Sequence, residues 1–74
     1  MDMKKYEFTG ETKVVAGVTL HRIRALVDIR VGVNAGAVGG WIEREKNLAQ
    51  DGKAWVSGKA QVYGEAQEIG RAHV

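Results

Sequence analysis

Seventy-four residues, with 11 Lys and Arg against 9 Asp and Glu and no cysteine, leave room for little variety. A chain this short holds one small core, near the size where a single core is only marginally stable. The absence of cysteine excludes disulfides and thiolate metal sites. The near-neutral balance gives no dense basic patch that would imply nucleic acid. No apolar run approaches the roughly 20 residues that span a bilayer, and Lys4 and Lys5 precede no apolar stretch of the signal-peptide kind, so a cytoplasmic location is expected.

Ten glycines sit between short apolar pairs with no proline among them, which predicts many turns joining short strands. In chain order, Lys5-Tyr6-Glu7-Phe8-Thr9 alternates aromatic and polar residues up to Gly10. Thr12-Lys13-Val14-Val15 and Val18-Thr19-Leu20 flank Ala16-Gly17 and read as a hairpin. From His21, the residues Ile23, Ala25, Val27, Ile29, Val31 and Val33 fall on one face of an extended segment. Arg22, Arg24, Asp28 and Arg30 fall on the other, the pattern of a half-buried strand. A helical stripe through Leu20, Ile23, Leu26 and Val27 competes, but the β-branched density favours strand. The glycines between Gly32 and Gly40 read as turn glycines, followed by a short strand at Trp41-Ile42-Glu43. Residues 43–50 are polar and too short for an independent helix, so a loop or single turn is expected there.

After Gly52 the chain becomes periodic. Lys53-Ala54-Trp55-Val56-Ser57-Gly58 is followed by Lys59-Ala60-Gln61-Val62-Tyr63-Gly64, and Glu65-Ala66-Gln67 begins a third unit. An aliphatic residue with a small residue four later (Val56 with Ala60, Val62 with Ala66, and earlier Val31 with Ala35) suits one side of a β-helix rung. Ala54, Val56, Ala60, Val62 and Ala66 should then be buried and Lys53, Lys59 and Glu65 exposed, with Trp55, Gln61 and Tyr63 pointing outward or covering a neighbouring strand. A β-meander with coincidental spacing is the competing reading.

The run from Thr19 to Leu26, then Gly39-Gly40-Trp41-Ile42-Glu43, Asn47-Leu48 and Ala54-Trp55-Val56, resembles the N-terminal region of bacterial and phage-encoded hexapeptide-repeat proteins of mostly unassigned role. The resemblance covers residues 5–67. It implies an all-β fold: a short-strand cap in residues 1–30 leading into the first rungs of a left-handed parallel β-helix in residues 31–67. Residues 68–74 break the repeat. They match the translation of a common short-read sequencing adapter (GAG-ATC-GGA-AGA-GCA-CAC-GTC) and read as an artefact joined to a truncated protein.

Chemistry is sparse. Hexapeptide-repeat folds host acyltransferases that use a general-base histidine, but His73 lies in the suspect tail and His21 lies on an apolar strand face, where a structural, hydrogen-bonded role is favoured. The 32–40 glycine run has neither dinucleotide nor Walker spacing. Glu43, Glu45 and Asp51 stand among Arg44, Lys46 and Lys53, as in a solvated, self-compensating loop. Arg22, Arg24 and Arg30, with Trp41, Trp55 and Tyr63 for stacking, give only a thin nucleic-acid signal. The sequence therefore names no catalytic, cofactor or metal residue and implies no cofactor. The expected role is a non-enzymatic, structural or scaffolding cap for a solenoid, of phage or prophage origin. The alternative is the start of an acyltransferase-like enzyme whose active coils lie elsewhere. A truncated solenoid should also self-associate through its open end, where Val62 would present an apolar edge.

Overall fold

The computed structural model describes residues 4–50 and 52–67; Asp51, His73 and the whole adapter-like segment 68–74 lie outside the described residues. Among the described residues the chain is all-β. Strands β1 (Tyr6–Val15), β2 (Val18–Ala25), β3 (Val38–Ile42) and β4 (Gln61–Val62) form one sheet in that order, and a single 3-10 turn covers Glu45–Asn47.

The hairpin forms where the sequence places it. Ala16 and Gly17 take φ of 51° and 80°, the two positive angles that a type I′ turn needs to match strand twist. Ala16 is the less comfortable of the two, because its β-carbon disfavours the left-handed region. The β1–β2 ladder runs antiparallel from Val15↔Val18 to Thr12↔His21, then shifts before Phe8↔Ile23. Gly10, at φ 96°, lies in that shift and makes it a bulge in the outer strand.

β2 ends at Ala25, well short of the extended segment predicted to reach Val33. Backbone bonds from Ala25 to Ala37 and from Gly36 to Ala25 close the excursion, and turns at Arg30–Val33 and Asn34–Ala37 fold it back. Parity survives where the strand does: Ile23 and Ala25 are buried, and Ile29 and Val33 rejoin the core beyond it. Val31 does not. It occupies a turn corner and is fully exposed, and Ala35 is exposed too, so that predicted inward pair is wrong. Val33 and Ala37, two residues on, pack against the core instead.

Tyr6, Ile23, Ile42, Leu48, Val56 and Val62 belong to one apolar cluster that draws on both sides of position 30. A fully buried side chain of this kind, such as Ile42, contributes roughly 1.5–3 kcal/mol. Leu20 and Trp41 are buried as well but outside that cluster, toward the opposite face of the sheet. Lys13 stands 4.3 Å above the Trp41 ring and the Arg22 guanidinium 5.4 Å from it, so two cations shield an indole on an otherwise thinly covered face.

β2 and β3 pair antiparallel through His21↔Ile42 and Arg22↔Trp41. β3 and β4 pair in the other sense: Trp41↔Gln61 and Ile42↔Val62 are parallel, each residue meeting one twenty positions ahead. The repeat segment lies across Gly39 and Gly40, which are strand residues and not the turn glycines that the sequence suggested. A β-carbon on Gly40 would stand 2.6 Å from the Ala60 carbonyl and 2.8 Å from Val56 Cγ1. Only glycine lets the two segments approach this closely.

The rung expectations hold in part. Ala54, Val56 and Val62 are buried, Ala60 is half-buried, and Lys53, Lys59, Glu65 and Tyr63 are exposed. Trp55 is buried at 2% exposure and takes the second of its two expected positions, covering a neighbouring strand: its ring lies over the bare backbone of Gly39 in β3. Ala66 is exposed, since no further strand covers it among the described residues. Val62 is 4% exposed, so the apolar edge expected at the open end is absent: the core already covers that side chain. Gly58 and Gly64, at φ 59° and 64°, sit in equivalent turns closed by Ala60 to Ser57 and Ala66 to Tyr63.

Candidate functional site

The densest polar organisation lies where the loop after β3 meets the turn after β4. Polar residues in the 43–50 segment lack apolar partners of their own, so the segment folds around one 3-10 turn and bonds its groups to neighbours, the buried Gln50 Nε2 excepted. Asn47 is fully buried. Its Oδ1 accepts from the Arg44 amide at 2.9 Å, while Nδ2 donates to the carbonyls of Ala66 at 2.7 Å and Gly64 at 3.2 Å. Glu43 Oε1 accepts from the Gly64 amide at 2.9 Å, and Lys46 pairs with Glu65 at 3.3 Å in solvent, where such a pair adds little.

The N-terminal residues clasp the same loop from the other side. Tyr6 sends its hydroxyl to the Leu48 carbonyl at 2.6 Å and the Glu45 carbonyl at 3.1 Å. Gln50 Oε1 accepts the Lys5 amide at 2.7 Å, and the buried Lys5 ammonium donates to the Ala54 carbonyl at 2.8 Å. Burial, helped by the nearby charge of Glu45, pushes the Tyr6 hydroxyl well above its ordinary range. The Gly64 amide, and after it the Arg44 side chain, hold the Glu43 carboxyl below the usual carboxylate range. Tyr6 thus stays protonated and Glu43 ionised near neutral pH, and both are committed to structural bonds. The junction fastens chain to chain.

The residues singled out in sequence are dispersed. His21 is half-buried and stacks on Phe8 with ring centroids 4.5 Å apart, so among the described residues stacking, not a hydrogen bond, holds the ring. Arg22 pairs with Glu11 at 3.5 Å and Arg24 with Glu7, both from the adjacent strand, while Arg30 lies beyond β2. The basic stripe is thereby broken up: two of its members are paired and the third belongs to a different segment. Glu43 is no merely solvated charge, whereas Glu45 pairs with Lys4 on the surface. Trp41, Trp55 and Tyr63 share no surface, since both indoles are buried and Tyr63 is half open. Among the described residues no group of three or more His, Cys, Asp or Glu side chains could hold a metal, and no helix is long and apolar enough to cross a membrane. A shallow depression of about 440 Å³ lies beside Arg30, Val38, Trp55 and Ser57.

Sequence reasoning passed over Lys5, Tyr6 and Asn47 as functional groups. Asn47 had a signal, an asparagine ending a short polar loop before an apolar residue; Lys5 had none.

No family model matches the chain. Over 62 residues it is 37% identical to YdcK, an uncharacterized acetyltransferase of Escherichia coli strain K12. The match takes in 73% of this chain but only 19% of the relative, so the chain spans about a fifth of the length of the protein it resembles. That relative is bacterial, and nothing in the similarity carries the phage attribution.

Proposed function

We propose that this chain is the N-terminal cap and opening rung of a left-handed β-helix of the hexapeptide type, within an acetyltransferase-like protein whose catalytic groups lie on later coils. Its own work is architectural: the hairpin closes one end of the coil and the Asn47–Gly64 junction sets the pitch of the first turn. The observation that carries this reading is the parallel pairing of Trp41 with Gln61 and Ile42 with Val62 in a sheet whose other ladders are antiparallel. Parallel neighbours close in sequence require a crossover, and here it runs through the 43–52 loop and the first repeat unit. A coil of three six-residue sides takes about eighteen residues, so the twenty-residue offset fits one coil with a two-residue surplus. The 3-10 turn accounts for that surplus. The resemblance to an acetyltransferase favours catalysis elsewhere in the parent over a purely scaffolding parent.

The test is a chimera in which residues 4–67 replace the matching fifth of the E. coli relative. It should be soluble, rich in β-structure and melt in one cooperative step near the parental temperature. A chimera that does not fold, beside a parent that does, overturns the proposal.

A further inference from the structure

We infer that the depression between the excursion after β2 and the first repeat unit is a binding site for a small apolar carboxylate. Tertiary folding assembles it. Bonds from the Ile29 amide to the Val33 carbonyl and from the Val33 amide to the Arg30 carbonyl turn the excursion, and the Ala25 amide ties its far end back through the Ala37 carbonyl. Arg30 thereby shares a cavity of about 440 Å³ with Trp55 and Ser57, residues far ahead in the chain. Small-molecule pockets run from roughly 300 to 1,000 Å³.

The lining is divided by chemistry. Val33 and Trp55 are buried, Ala37 is half-buried and Val38 stands open at 52% exposure, which gives the cavity an apolar floor and wall. Its polar side chains can all donate: the Arg30 guanidinium, the Ser57 hydroxyl and the Trp55 indole N–H. A guanidinium carries five N–H donors, so a bond already made leaves others. The Trp55 N–H meets no acceptor among the described residues and, unlike the Gln50 amide, is not sealed from water. An indole this deeply buried ordinarily has a partner.

No acidic side chain lines the cavity, and Asp28 is committed to the Ala35 amide at 2.8 Å. Donors without an acid call for an anion, and the apolar floor calls for hydrocarbon attached to it. A carboxylate matches the planar fork of a guanidinium, while a ring or short alkyl chain would cover Val38 and the Trp55 edge. A bare inorganic anion would leave that floor wet. The site plays no part in the architectural role proposed above and stands or falls separately.

Benzoate is the probe, titrated at constant ionic strength into the isotope-labelled 74-residue chain and followed by NMR. The Trp55 indole N–H and the amides of residues 30–33 and 37–38 should shift saturably. The Trp41 indole is the control, because it lies beneath Lys13 and Arg22, where attraction to positive charge alone would also gather benzoate. Benzyl alcohol (the ring without the charge) and acetate (the charge without the ring) should each bind at least about tenfold more weakly, as should benzoate to Arg30→Gln. Shifts that do not saturate, or that move Trp41 equally, overturn the inference. So does acetate or phosphate binding as tightly as benzoate, since the apolar floor would then contribute nothing. Unchanged benzoate affinity in Arg30→Gln also overturns it, and should that variant not fold, benzyl alcohol binding the native chain as tightly as benzoate does so. The same resonances moving with protein concentration, probe absent, would give the depression to a second copy.

Discussion

A β-carbon added to Gly39 would stand 2.5 Å from Cζ2 of Trp55, closer than real side chains come. The indole of the first repeat unit therefore rests on bare strand backbone. This contact decides how the hexads lie against β3, and it buries a tryptophan that covers the neighbouring strand.

Gly39→Ala and Gly40→Ala should each destabilise the chain by about 1–3 kcal/mol, the usual cost of overfilling a packed site. Gly40 has the less forgiving neighbour, the Ala60 backbone carbonyl at 2.6 Å, which cannot swing away as a side chain can. Thermal melts read the effect. Alanine within 0.5 kcal/mol of wild type at both positions would show that the segments are not this close.

Tyr6→Phe removes the donor to the Leu48 and Glu45 carbonyls and should cost about 1–3 kcal/mol. The same hydroxyl predicts an alkaline limb. Its folded pKa is raised above the unfolded value of about 10. Its stabilisation is therefore full below pH 10 and is lost as pH rises from there toward the folded pKa. Melting temperatures between pH 8 and 11 should fall more steeply for the native chain than for Tyr6→Phe. Parallel curves would contradict the assignment.

Asn47→Ala leaves the Gly64 and Ala66 carbonyls without their donor and should cost about 1–3 kcal/mol. Because the loss falls on one turn, amide exchange at residues 63–66 should speed up before exchange in β1 and β2 does. Uniform acceleration along the chain would mean that Asn47 serves the whole fold and not this junction.

Glu43 predicts an acid limb of opposite sign. Its folded pKa lies below the unfolded value near 4.3. The stabilisation is present above that value and is lost as pH falls through the folded pKa. Glu43→Gln should flatten the melting temperature between pH 5 and 3 relative to wild type. An unchanged slope would place the acid sensitivity in another carboxylate.

Local chemistry carried the sequence reading a good distance. The hairpin at Ala16-Gly17 was legible because β-rich runs around two turn residues have few other ways to fold, and inward parity held from Ile23 to Ala25 because a strand alternates by two. The inward positions Ala54, Val56 and Val62 followed from the hexad itself. Three features depended on distant chain. β2 stops at Ala25 because residues 36 and 37 return to bond it, and no local pattern announces a partner that arrives eleven residues later. Gly39 and Gly40 are glycines because Trp55 and Ala60 pass over them, a steric demand invisible until the repeat is folded. Lys5 and Asn47 are buried because carbonyls at Ala54, Gly64 and Ala66 await their protons. Periodicity settled which side chains turn inward along each strand, and only the tertiary structure decided which strands meet, because pairing is fixed by hydrogen bonds and close contacts between residues remote in sequence.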